Sequence, residues 1–212
     1  MQSIQGKTTF EFIEKKSRFI GILIHVEDEH MVNEHLTKVR STYPGATHYV
    51  YAYIINQTKQ KASDDGEPQR TAGYPVLDVL KKNQMNDCLA IVIRYFGGIK
   101  LGAGGLIRAY AHAISETIQK ATFVQKVTRY HCSVSTTYDK LNSVLRILQE
   151  NTEIIHSDYQ ATIEFSFYCY DQQFDFIKTQ LFQANHFEDH LKVLAINDVY
   201  AKISDSHIQT KR

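Results

Sequence analysis

The sequence predicts an α+β protein of two domains, and three observations carry that expectation. Segments alternating apolar and polar residues stand among segments whose apolar residues recur at helical spacing, so strands and helices share the chain. From about residue 123 the pattern restarts as β-α-β-β-α-β, the ferredoxin-like split βαβ order. The length of 212 residues, with 43% hydrophobic and 22% charged, suits one large domain or two small ones with a sizeable core. The domains are accordingly placed at residues 1–122 and 123–212.

The elements follow in order. TTFEFIEK and SRFIGILIHV are two strands with Lys16 and Ser17 near their turn. EDEHMVNEHLTKVRSTY is a helix with acids in its first turn and a sparse apolar face of Met31, Leu36 and Val39, broken by Pro44-Gly45. THYVYAYIIN alternates β-branched and aromatic residues as a strand, and the polar stretch QTKQKASDDGEPQRTAG is expected to be loop. YPVLDVLKKNQ is a short helix, DCLAIVIRY a buried strand, and a helix runs from about Ala103 to Ala121. In the second half FVQKVTRYHCSVST is a strand and YDKLNSVLRILQEN an amphipathic helix. TEIIHSDY and ATIEFSFYCY form a strand pair with a turn near Ser157–Gln160. QQFDFIKTQLFQAN is a helix, HLKVLAINDVYAKI a closing strand, and SDSHIQTKR a fraying end.

Charge and cysteine content remove several function classes. Net charge is +1, with 15 basic against 12 acidic residues up to Ala121 and 9 against 11 beyond it. No global field therefore draws the protein to nucleic acid or acidic lipid, and any basic surface is a local patch. Cys88, Cys132 and Cys169 are far apart and sit in apolar, strand-like contexts without C-x-x-C, so buried thiols are expected rather than disulfides or zinc. The N-terminus lacks an apolar signal core and no run reaches membrane-spanning length, which points to a soluble cytoplasmic protein.

The densest chemical signal is RYFGGIKLGAGGLIRAY, Arg94 to Tyr110. It carries five of the ten glycines, three basic residues and no acid, between an apolar strand and a helix start. That placement offers free helix N–H groups at Gly102, Gly104 and Gly105 to an anion, with Arg94, Lys100 and Arg108 able to add charge-assisted phosphate contacts. It matches neither the P-loop nor the dinucleotide fingerprint. A glycine-rich crossover needed only for close helix–strand packing is the alternative, and spacing leaves the two open.

A second cluster, SDDGEPQRTAGYP, places Asp64, Asp65 and Glu67 within four positions. Three meanings stand side by side. The acids could hold Mg²⁺, form a solvated turn, or tie the loop to Arg94, Lys100 or Arg108 and neutralise part of the basic face. His48, alternating with tyrosines in its strand, and Arg18, beside Phe19, are supporting candidates with ordinary structural alternatives. No metal-ligand spacing and no nucleophile signature is present, so no metal and no catalytic residue is assigned.

SDDGEPQRTAGYP followed by IVIRYFGGIKLGAGGLIRAY, with KSRFIG and THYVYAY earlier, closely resembles the signature of the YigZ/IMPACT family. The resemblance covers the first domain, and the second half is similar to the C-terminal domain of bacterial members. It implies a βαβ-containing first domain like the fourth domain of elongation factor G, and a ferredoxin-like second domain like that factor's fifth. Eukaryotic relatives regulate translation through an added N-terminal domain for which this chain has no room. Where the family pattern E-P-x-G-T-A-G has Gly, this chain has Arg70, a further supporting candidate that either extends the basic face or marks a turn less strained than the family pattern implies.

The expected function is therefore a non-enzymatic RNA- or ribosome-binding protein in translation or its regulation, with no cofactor and a translation-related protein partner as a further option. Tyr95 and Phe96 are the candidates for base stacking. The alternatives are a nucleotide- or metal-dependent enzyme, hydrolase-, peptidase- or small-molecule-kinase-like, built on the acidic and glycine loops, and a protein–protein adaptor.

Overall fold

Residues 2–185 and 190–202 are described by a computed structural model; the tail expected to fray, SDSHIQTKR, lies outside them. Two compact units divide the chain, one ending at Gln125 and the next beginning at Lys126. Both are built of sheet and helix, so the protein is α+β.

In the first unit, β1 (Ser3–Ile4) is a two-residue strand. It precedes a hairpin of β2 (Lys7–Glu14) and β3 (Ser17–His25). Lys15 and Lys16 close that hairpin at φ 44° and 63°, the left-handed pair that a two-residue turn between twisted strands requires. Helix α1 (Glu29–Thr42) starts at Asp28, whose carboxylate accepts the Met31 N–H at 2.8 Å. Its buried face is Val32 and Val39, with Met31 and Leu36 only partly covered.

β4 (His48–Ile55) pairs with β5 (Lys59–Ser63), a strand where loop was expected. Lys59, Gln60 and Lys61 are exposed on the sheet edge, so β5 lacks the apolar alternation that marks a half-buried strand. Helix α2 (Gly73–Lys82), the buried strand β6 (Cys88–Tyr95) and helix α3 (Ala103–Gln119) complete the unit.

The sheet order is β2-β3-β6-β4-β5, antiparallel throughout. β3-α1-β4 is thus a split crossover with β6 inserted between its strands. Helices α2 and α3 cover one face through Phe19, Leu23, Val92, Leu80, Tyr110 and Ile114. Helix α1 covers the other through Ile22, Tyr49, Ile91, Val32 and Val39. Each core thus comes from one alternating set of strand residues meeting one helical stripe.

The second unit takes most of β7 (Phe123–Thr136), whose first residues pair with β1. Then come α4 (Leu141–Asn151), β8 (Glu153–Tyr159), β9 (Ile163–Tyr170), α5 (Asp171–Asn185) and β10 (Leu191–Lys202). β9 lies antiparallel between β7 and β8, and β10 pairs with β7, which is the ferredoxin-like order. Its core joins Cys132, Val134, Phe165 and Phe167 to Val144, Leu148, Ile177 and Leu181. The β8–β9 turn falls at Gln160–Thr162 rather than at Ser157–Gln160, because Ser157 and Asp158 still pair across to Phe165 and Glu164. All three cysteines are free and buried. No described helix is long and apolar enough to cross a membrane.

Candidate functional site

The three acids of the 64–67 loop point to three different places. Asp64 accepts the Arg70 N–H at 2.8 Å, and the Ala72 and Gly73 N–H groups at 3.1 and 2.8 Å. It therefore caps α2 from nine residues upstream, since the adjoining Ala72 has no capping side chain. Asp65 accepts the Tyr49 N–H at 2.6 Å and Arg40 Nη2 at 3.1 Å, and its carbonyl takes the proton of His48 Nδ1 at 2.8 Å. Glu67 turns inward and is 8% exposed. Among the described residues no three His, Cys, Asp or Glu side chains gather as a metal-binding set.

Glu67 is the centre of a buried polar network. Its Oε1 accepts Arg94 Nη1 at 2.6 Å and the Tyr110 hydroxyl at 2.7 Å, with His48 Nε2 at 3.8 Å. Ser17 Oγ accepts Arg94 Nη2 at 3.3 Å and the Gly97 N–H at 3.2 Å. The guanidinium lies 5.4 Å from the Phe19 ring centroid and 5.3 Å from that of Phe96. Burial, followed by the hydrogen bond to Glu67, pushes the Tyr110 hydroxyl far above its ordinary pKa. Arg94 is 5% exposed. It is therefore not the open phosphate contact expected of it: its charge is spent on Glu67. Of the three meanings open for the acidic loop, tying to a basic residue describes Glu67, through Arg94; Asp64 instead bonds its own loop and the start of α2, and Asp65 ties the loop to β4 through Tyr49 and to Arg40, a basic residue outside the expected set.

The other supporting candidates are also engaged. Arg18 makes a bidentate pair with Glu11 at 2.6 and 2.8 Å, and lies 5.5 Å from the Tyr95 ring centroid. Arg70 adopts φ 63° with its guanidinium 5.2 Å from the Tyr74 ring centroid. The positive φ supplies a physical reason for a glycine at this position. Tyr95 donates its hydroxyl to the Pro44 carbonyl at 3.3 Å, whereas Phe96 is 45% exposed.

The start of α3 is different. Gly102 is its N-cap at φ 76°, without a side chain to cap the helix, and the first helical bond runs from Leu106 N–H to the Gly102 carbonyl at 2.9 Å. The N–H groups of Ala103, Gly104 and Gly105 consequently have no partner inside the helix. Lys100 and Arg108 are exposed beside them, and neither is in an ion pair among the described residues. The glycines divide by role. A Cβ on Gly97 would lie 2.0 Å from the Lys16 carbonyl oxygen, so Gly97 permits the close approach of the β2–β3 turn. At Gly104 a Cβ would meet only Arg108 Nη1 at 3.6 Å, so packing does not demand glycine there.

Next to this helix start is a cleft of about 210 Å³ whose lining includes Phe12, Glu14, Lys15, Leu101, Arg108 and His112. Of these, sequence reasoning singled out only Arg108 as a site residue. Phe12, Glu14 and Lys15 belong to a hairpin more than 80 positions away, and nothing in their own spacing signals the meeting. Tyr110 was also missed, because a tyrosine on an apolar helix stripe looks like core and its hydroxyl partner is visible only in three dimensions.

A two-domain α+β chain with a split antiparallel first sheet, a ferredoxin-like second unit and a glycine-rich helix start defines the architecture. Residues 15–118 match the family model described as the Impact N-terminal domain. IMPACT family member YvyE of Bacillus subtilis is 40% identical over 166 residues, covering 77% of this chain and 76% of its own. IMPACT family member YigZ of Escherichia coli is 34% identical, covering 70% of this chain and 76% of its own. A crystal structure described as that of a hypothetical protein matches with a TM-score of 0.59 and 29% identity, over 92% of this chain and 97% of that one. The chain belongs to the IMPACT family.

Proposed function

We propose that the protein is a non-enzymatic RNA- or ribosome-binding protein of the cytoplasm, acting in translation or its regulation, and that it contacts phosphates at the start of α3. The observation that carries this is the set of N–H groups at Ala103, Gly104 and Gly105 without a partner inside the helix, beside the exposed cations Lys100 and Arg108, which make no ion pair among the described residues. A helix end contributes only about 0.3–1 kcal/mol toward an exposed charge, so the two side chains are needed for useful affinity. The resemblance to translation-factor modules supports the choice of RNA over other phosphate ligands.

The test is binding of single-stranded RNA and of ribosomes across a salt series. Wild-type affinity should fall steeply with salt. Lys100→Ala with Arg108→Ala should weaken it and flatten the log–log slope by roughly 0.7 per lost contact. Gly104→Ala should weaken binding while leaving the fold intact. Unchanged affinity of the double variant at low salt removes the site. Thermal stabilisation by ATP or GTP and not by RNA favours the nucleotide-dependent enzyme instead.

One observation favours the adaptor alternative. Phe96, Ile99 and Ile107 are 45%, 42% and 43% exposed along the same segment, as side chains that seat a protein partner would be. Retained ribosome binding with no affinity for free RNA would select it.

A further inference from the structure

We propose that His112 is a base-stacking platform, and that the cleft between β2 and α3 seats one unpaired nucleotide of a single-stranded RNA. This rests on the RNA reading above and gives it a specific mode of recognition. Gly104, Arg108, His112 and Glu116 are spaced four apart, so they follow one slanting stripe of α3, the i+4 ridge, from its open N-terminal end toward the C-cap Lys120. β2 lies beside that stripe and supplies Phe10 and Phe12.

The His112 ring is set edge-on against both phenylalanines, 5.9 Å and 90° from Phe10 and 4.9 Å and 82° from Phe12. Phe12 is itself stacked on the buried Phe19 at 5.2 Å, and His112 Nδ1 lies 3.9 Å from Glu116 Oε1. The imidazole is thus packed against two rings on one side, while its side chain remains 50% exposed. An aromatic ring backed by packing and open to water is what stacking on a base requires, because less side-chain freedom is lost on binding.

The cleft beside it measures about 210 Å³, below the roughly 300–1,000 Å³ of pockets that enclose drug-sized ligands. That size suits one nucleotide unit. Arg108 and Lys15 are the phosphate contacts within reach, and Glu14 is an acceptor for an exocyclic amine or a ribose 2′-hydroxyl. Further along the stripe Lys120 Nζ lies 4.6 Å from the Phe10 ring centroid, continuing the positive track. Arg108, Lys15 and Lys120 outweigh Glu14 and Glu116, so the stripe is complementary to a phosphate backbone.

The test uses the full chain and a short oligoribonucleotide carrying 2-aminopurine, whose fluorescence is quenched on stacking. Binding should quench it. His112→Ala should lose the quench and lower affinity about 5- to 150-fold, the range for one stacked base. His112→Phe should retain both, and His112→Lys, which keeps a cation without an aromatic face, should behave like alanine. Equal binding and quenching by wild type and His112→Ala, while Arg108→Ala still weakens binding, would overturn the platform and leave the RNA site standing. Full activity of His112→Lys would overturn stacking in favour of charge alone. No binding by wild type at low salt overturns both proposals together.

Discussion

Arg94 changes character between sequence and structure, and the reason is a single carboxylate. In the linear sequence it opens a basic, glycine-rich segment; in the fold it is buried against Glu67, with Tyr110 on the same oxygen. Removing one partner of a buried pair leaves the other charge without compensation, which costs about 3–5 kcal/mol. Glu67→Gln should therefore lower the urea midpoint severely, and adding Arg94→Met should restore part of the loss. An unchanged midpoint for Glu67→Gln would show that the pair contributes nothing net. Arg70 gives the opposite sign. At φ 63° it bears left-handed strain that a glycine would not. Set against the flexibility glycine brings to the unfolded chain, Arg70→Gly should be stabilising by less than about 1 kcal/mol, and Arg70→Val destabilising. Pairing of the acidic loop with Arg94 was one of three open readings, and spacing could not choose it, because partners 27 positions apart leave no periodic trace.

The glycine segment reads as one motif but works as two elements, a turn contact and a helix start. Gly97→Ala must displace the β2–β3 turn, since its Cβ would overlap the Lys16 carbonyl. A loss of about 1–3 kcal/mol is expected from such overpacking, measured by chemical denaturation. Gly104→Ala has open space and, in the first turn of α3, should be stabilising by less than the roughly 0.8–1 kcal/mol of a helix-interior position. If both variants lose stability equally, the division between packing glycine and surface glycine is wrong. β6 was legible in the sequence as an unbroken apolar run, and α4 because its apolar residues recur at helical spacing. β5 was not, because a polar edge strand is specified by its hairpin partner β4 rather than by its own pattern. The cleft was half legible: the α3 side follows from glycines and cations, whereas the Phe12 side depends on which strand packs against α3.

For the molecule as a whole, two tyrosines and the Cys88 thiol, which burial pushes far above its ordinary range, weaken the fold at alkaline pH. Burial, then the hydrogen bond to Glu29, pushes the Tyr53 hydroxyl up to about 12, and Tyr110 is pushed higher still by burial and Glu67. Both exceed the unfolded value near 10, so between the two the unfolded chain binds fewer protons than the native one. Their contribution is complete below about pH 10 and is lost as pH rises through 12 and beyond. The urea midpoint should begin to fall near pH 9, where the unfolded Cys88 thiol ionises, and fall further by pH 11, with Tyr53→Phe and Tyr110→Phe together flattening the later part of the fall. The α+β class and the β-α-β-β-α-β order of the second half were legible from the hydrophobic pattern. The split of β3 and β4 by β6 was not, since periodicity carries no information on which strands are neighbours. That insertion sets an order of events during synthesis. The hairpins β2–β3 and β4–β5 emerge first and have no edge to share, because the strand that joins them is made last. A nascent chain stalled before Cys88 holds two disconnected ribbons open to protease; release of Tyr95 lets the sheet join, and the first unit closes only once α3, which covers one face of that sheet, has followed.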